Sequence, residues 1–211
     1  MSQVGIKDQQ IKEIHILLSN YSQTKIMIST FSLTTFFAVL FFSFSDGSTI
    51  TTSNIIQETC KRSADSTPNL SYNFCVASLE SDDRSRCADL HKLGLIAMDL
   101  MRHNITSTRR DIRKLLRNKK LDQFVKARLD DCLELYSDAV PILKEAKRCY
   151  KEKKYVDANV KVSSVMEAPS TCEDGFRDKE GLVSPLTEKN KNVFRLAALT
   201  LSIINMNTHL Q

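Results

Sequence analysis

Pro169-Ser170-Thr171-Cys172-Glu173-Asp174-Gly175-Phe176 closes an apolar stripe that runs through Val162, Val165, Pro169, Cys172 and Phe176. A longer stripe precedes it: Leu121, Val125, Leu129, Cys132, Tyr136, Ala139, Leu143, Ala146 and Tyr150. In both, the steps are of three or four residues, the repeat of one buried helix face. Cys132 and Cys172 therefore sit on the core-facing sides of two helices. A bridge between them would staple antiparallel helices through the core. For a closed loop of about forty residues, chain entropy sets the gain at roughly 4 kcal/mol. The alternative is two buried free thiols, because cysteine packs as a small hydrophobe. The export signal at the other end of the chain favours the bridge.

That signal is the uncharged run Ile26 to Phe44, preceded by Lys25. Ser43-Phe44-Ser45 offers small residues where a signal peptidase reads, so a cut is expected after Ser45. The rival reading is a membrane anchor, since the run is nearly long enough to span. Its hydroxyl residues, among them Ser29, Thr30, Thr34 and Thr35, and the adjacent cleavage site favour a signal peptide. Residues 1–25 make a long n-region, which leaves two starts open: Met27, or an extended leader from Met1. The expected division is a leader over 1–45 and one domain over 46–211. A domain of about 165 residues can bury a real core. The leader takes away three lysines and two acids from a chain of net charge +5, so the remainder stays mildly basic. No stable membrane insertion is expected after cleavage.

All six cysteines follow the leader: Cys60, Cys75, Cys87, Cys132, Cys149 and Cys172. An exported domain with an even cysteine count suggests disulfides, although six cysteines allow fifteen pairings. Thr51 to Lys61 and Tyr72 to Leu79 read as short helices around the turn Ser66-Thr67-Pro68-Asn69. Pairing Cys60 with Cys75 would close this hairpin, which is too small to have its own core. A long helix is expected from about Cys87 to Arg117, lined by Leu90, Leu93, Ala97, Met101, Ile105, Thr108, Ile112 and Leu115. The next runs from Leu121 to Tyr150 and should kink at Pro141. The third spans Tyr155 to about Phe176. Thr187 should cap a last helix through about Met206, with Val193, Ala197, Leu201 and Ile204 inward. No strand-like alternation occurs, and glycine is scarce at five. The expected fold is all-α: an up-down-up-down four-helix bundle with an N-terminal disulfide-closed helical hairpin.

Catalytic constellations are missing from this pattern. His91 and His103 lie twelve residues apart on one helix, about 18 Å along its axis, and cannot share a metal ion. No zinc-ligand spacing, phosphate loop or nucleophile elbow appears. No catalytic residue, metal or cofactor is therefore expected. Asp99 and His103 read as a solvated i, i+4 pair. The basic run Arg109, Arg110, Arg113, Lys114, Arg117, Lys119 and Lys120 reads as a charged outer face or a dock for an acidic partner. Export and the lack of interleaved aromatics argue against nucleic acid. Asn69-Leu70-Ser71 and Asn104-Ile105-Thr106 are glycosylation sequons, Asn69 in a turn and Asn104 mid-helix.

Ile56-Gln57-Glu58-Thr59-Cys60, Asn73-Phe74-Cys75 and Thr171-Cys172-Glu173-Asp174-Gly175-Phe176 resemble the cysteine motifs of the plant invertase and pectin methylesterase inhibitor family. Leu133-Glu134-Leu135-Tyr136-Ser137-Asp138-Ala139 is similar to its third-cysteine helix, and Val183-Ser184-Pro185-Leu186-Thr187 to its final loop. The resemblance implies pairing of the first cysteine with the second and the third with the fourth. Cys87 and Cys149 depart from the four-cysteine pattern. They could pair with each other, stay free or link two chains. The resemblance also implies an inhibitor, not an enzyme. Invertase inhibitors of this family present Pro-Lys-Phe at the corner before the third bundle helix, and this chain has Lys153-Lys154-Tyr155 there. Lys154 is expected to meet catalytic carboxylates and Tyr155 to pack in a sugar pocket. The competing expectation is a solvated charged turn with a core tyrosine.

The leading expectation is thus a secreted inhibitor of an acid invertase (β-fructofuranosidase), in the apoplast or the vacuole. Inhibition of pectin methylesterase is the alternative within the same class. A small secreted ligand or lipid carrier is the alternative of a different class.

Overall fold

The computed structural model describes residues 52–209. The expected leader and its cleavage site lie outside the described residues. Within them are six α-helices: α1 (Thr52–Ser66), α2 (Tyr72–Glu80), α3 (Leu90–Leu116), α4 (Gln123–Lys151), α5 (Tyr155–Arg177) and α6 (Thr187–Thr208). A 3-10 turn, Asp83–Cys87, joins α2 to α3. Each of the four long helices packs on its sequence neighbour, and α6 returns against α3. That closes the up-down-up-down bundle, with the α1–α2 hairpin appended at its N-terminal side.

Side-chain caps set the starts of α3 and α4. Asp89 accepts the Lys92 N–H at 2.7 Å, so α3 begins after it, and Cys87 belongs to the turn rather than to the helix. Asp122 accepts the N–H groups of Phe124 and Val125 at 3.1 and 3.2 Å, which starts α4. Thr187 does not cap α6. It is the first helical residue, and its hydroxyl donates to Glu173 at 2.6 Å. α4 stays helical through Pro141 and α5 through Pro169.

The expected stripes make the core. Leu129, Cys132, Tyr136, Ala139, Leu143, Ala146 and Tyr150 of α4 are buried, as are Val162, Val165, Pro169, Cys172 and Phe176 of α5. Helix α6 is buried on more than the expected face. Leu199 and Ile203 pack with Ile56, Cys60 and Leu79 of the hairpin, in a second core joined to α3 through Ile96 and Ala97. On that outer side Ser202 donates to Ser63 at 2.9 Å, and both are buried. The hairpin is therefore a lid that gives α6 a second buried side.

Asp99 does not form the expected simple pair with His103. It receives Lys147 of α4, Arg84 of the 3-10 turn at 3.3 Å and Arg102 at 3.9 Å. This carboxylate pins the turn and α4 to α3, while His103 stays exposed.

Candidate functional site

The corner between α4 and α5 is built by a helix-terminating motif. The Lys153 N–H donates to the Tyr150 carbonyl at 3.0 Å, and the Lys154 N–H to the Cys149 carbonyl at 2.9 Å. Those two bonds form a Schellman cap, which requires a left-handed residue at its apex and usually recruits glycine. Here Lys153 supplies it, at φ 60°. Lys153 and Lys154 are consequently held out in solvent by the backbone itself.

The two lysines differ in their partners. Lys154 Nζ meets Glu152 at 2.9 Å, and the other Glu152 oxygen meets Arg148 at 2.7 Å. Arg148 Nε in turn donates to Glu145 at 3.0 Å. The Lys154 ammonium holds the Glu152 carboxyl below its usual range, and Glu152 raises the Lys154 ammonium. Lys153 makes no ion pair among the described residues.

Tyr155 is not available to a partner, which corrects the expectation that its ring fills a sugar pocket. It is 6 % exposed and belongs to the core. Its ring stands edge-on to Tyr150, with centroids 5.2 Å apart. Its hydroxyl lies 3.1 Å from His91 Nδ1, and the His91 ring stacks on Tyr150 at 4.7 Å. Asn207 donates to the Tyr150 hydroxyl at 2.9 Å. Burial pushes both phenols up from their ordinary range. The reason is periodicity: Tyr155 opens the α5 stripe that continues through Ala158, Val162 and Val165.

The apolar surface at this corner comes instead from Val156 and Val160, 69 % and 61 % exposed. They lie four residues apart on one face of α5, beside the lysines. The sequence reading passed over them. The available signal was two valines falling off the buried stripe.

The other singled-out residues separate clearly. The structure joins Cys60 to Cys75 and Cys132 to Cys172, with Cα–Cα distances of 5.5 and 4.9 Å. Cys87 and Cys149 are both free thiols, so the bridge considered between them is not made. Cys149 faces the main core, whereas Cys87 ends an exposed 3-10 turn. Asn69 is exposed at φ 66°, a conformation asparagine tolerates. Asn104 sits within α3 and donates its amide to the Leu100 carbonyl at 2.9 Å. Among the described residues no three His, Cys, Asp or Glu side chains converge to hold a metal ion, and no helix is long and apolar enough to cross a membrane.

Residues 54–203 match the family model "Plant invertase/pectin methylesterase inhibitor". The chain belongs to this inhibitor family. Its members are inhibitors, not enzymes, and their targets are proteins. The chain is 40 % identical to a Platanus acerifolia protein named "Putative invertase inhibitor", over 74 % of this chain and 87 % of that one. It is 29 % identical to the pectinesterase inhibitor of Actinidia deliciosa, over 72 % of this chain and 79 % of that one. It is 34 % identical to the "Cell wall / vacuolar inhibitor of fructosidase 2" of Arabidopsis thaliana, over 64 % and 72 %. In fold, this family member resembles a mutant form of an Arabidopsis pectin methylesterase inhibitor: TM-score 0.61, 23 % identity, 70 % of this chain and 95 % of that chain.

Proposed function

We propose that this protein inhibits an acid invertase and docks through the corner of Lys153, Lys154, Val156 and Val160. The observation that carries the docking site is the Schellman apex, which fixes two cations in solvent beside two exposed valines. Acid invertases cleave with carboxylates, which lysines can meet by charge-assisted hydrogen bonds. The valines supply the apolar contact that the sequence reading gave to Tyr155. The two Platanus relatives at 40 % identity, both named as invertase inhibitors, support this target. The disulfides and the expected leader support a location outside the cytosol, in the cell wall or the vacuole. Asn69, exposed in its turn, is the favoured glycan acceptor, and Asn104 the weaker one.

The test is a paired assay. Protein produced from the full chain in a secreting host is added to an acid invertase and to a pectin methylesterase at mildly acidic pH. Inhibition of the invertase, weakened about tenfold or more by Lys154→Ala with Val156→Ser, is the expected result. Lys153→Gly keeps the backbone apex and separates the side chain from the turn. Undiminished potency in these variants would sink the corner as the docking site. Inhibition of the methylesterase alone would move the function to the second reading, which the Actinidia relative and the structural neighbours support.

A further inference from the structure

The stretch Arg109-Arg110-Asp111-Ile112-Arg113-Lys114-Leu115-Leu116-Arg117-Asn118-Lys119-Lys120 ends α3 and turns into α4. It holds seven cations and one acid, a larger excess than the +5 of the whole chain. One cation is used internally: Arg109 Nε donates to Ser137 at 3.2 Å. The one acid is taken as well, since Asp111 pairs with Lys189 of α6 at 2.7 Å. Arg110, Arg113, Lys114, Arg117, Lys119 and Lys120 remain, all exposed, and none forms an ion pair among the described residues. Several cations elsewhere on the surface do have acidic partners: Arg128 meets Asp131, Arg148 meets Glu145 and Glu152, Arg177 meets Asp174, and Lys179 meets Asp122.

The unpaired cations are ordered in space. Arg110, Arg113, Lys114 and Arg117 recur at the spacing of a single helix face, opposite the buried Ile105, Thr108 and Ile112. They cover about 10 Å of the axis, and Lys119 and Lys120 continue around the turn. The helix dipole favours cations only in the last turn, so it accounts for Arg113, Lys114 and the capping Arg117 but not for Arg110. Like charges at this spacing repel one another unless a ligand neutralises them.

We propose that this stripe binds a linear polyuronate, an acidic polysaccharide carrying a carboxylate on successive sugars. Arginine forks match planar carboxylates in pairs, and a stripe matches a chain of them. No aromatic residue lies in the stretch to stack bases, and Leu115 and Leu116 are half-buried rather than offered to a bilayer. α4 has 29 residues, so about 43 Å separates this turn from the Lys153–Lys154 corner at its other end. Polymer and protein target can therefore be held together. The proposal is independent of which enzyme is inhibited.

The experiment passes the full-chain protein over immobilised polygalacturonate and over the same polymer fully methyl-esterified. Retention on the free acid only, released by salt, is expected. The triple variant Arg110→Gln, Arg113→Gln and Arg117→Gln should bind about tenfold or more weakly, with circular dichroism and enzyme inhibition unchanged. A control of the same charge change, Lys61→Gln, Lys92→Gln and Lys144→Gln, should bind as the parent does. Equal retention on both polymers, no loss in the stripe variant, or equal loss in the control would overturn the proposal. So would tighter binding to single-stranded RNA or phosphatidylserine vesicles at the same ionic strength.

Discussion

Tyr136 donates its buried hydroxyl to Asn190 Oδ1 at 2.7 Å, which ties α4 to α6 through the core. The Asn190 amide passes the link on to Glu173 of α5 at 2.7 Å, and Thr187 closes it on the other carboxylate oxygen. Three bundle helices thus share one polar network beside the Cys132–Cys172 bridge. Tyr136→Phe leaves the Asn190 oxygen buried without this donor, at a cost of about 1–3 kcal/mol. Asn190→Ala should cost a similar amount, and the double variant less than the sum. Urea unfolding of the cycle checks this; strict additivity would mean that the two groups do not interact.

Gly94 of α3 lies directly against the Tyr150 side chain of α4. A Cβ there would overlap the hydroxyl and ring carbon of Tyr150. Tyr150 cannot retreat easily, since His91 stacks on it and Asn207 holds its hydroxyl. Gly94→Ala should therefore destabilise by about 1–3 kcal/mol through overpacking, despite alanine's better helix propensity. A melting temperature equal to or above the parent's would count against this contact.

Lys153 should respond in the opposite sense. Its left-handed backbone costs a residue with a Cβ roughly 1–2 kcal/mol. Lys153→Gly relieves that cost and gives back part of it as unfolded-chain entropy. A net gain of up to about 1 kcal/mol is expected in thermal unfolding, and Lys153→Val should lose stability.

The thiols give a count. Under native conditions an alkylating reagent should label Cys87 quickly and Cys149 only on opening, because one is exposed and the other is buried. Intact-mass measurement should show one added label when native and two when unfolded without reductant. Reduction of Cys132–Cys172, which closes a loop of 40 residues, should cost about 4 kcal/mol.

The pH response has a definite sign. Asp82, Asp111, Asp122, Glu145 and Glu152 are held below their ordinary range by Arg84, Lys189, the Val125 N–H, Arg148 and Lys154 respectively. A depressed carboxyl contributes stability above its unfolded value and loses it as pH falls through its folded value. The melting temperature should hold from about pH 7 to pH 5 and fall below about pH 4. Asp122 and Glu152 are exposed and the other three are half-buried at the surface, so each contribution is small and shrinks in salt. A melting temperature that rises below pH 4 would contradict the assignment.

Much of this molecule could be read in its sequence because helices announce themselves through local periodicity. Steps of three and four residues placed Cys132 and Cys172 inward, and spacing with turn chemistry marked the hairpin around Cys60 and Cys75. Three-dimensional packing decided what periodicity cannot. The α6 stripe predicts one buried face, but the hairpin covers a second, and only assembly brings Ser63 onto Ser202. Asp99 looked like half of a local pair until Arg84 and Lys147 arrived from other elements.

The same division holds at the candidate site. The chain order alone located the corner at Lys153-Lys154-Tyr155. Which of those side chains faces outward depended on where α5 began its turn count. Because the Schellman bonds end α4 at Lys151 and start α5 at Tyr155, the tyrosine falls onto the buried stripe and Val156 falls off it. Local sequence determined the helices and their inward faces. Tertiary structure decided which residues those faces leave for a partner, because burial is settled by what packs against a helix and not by the helix itself.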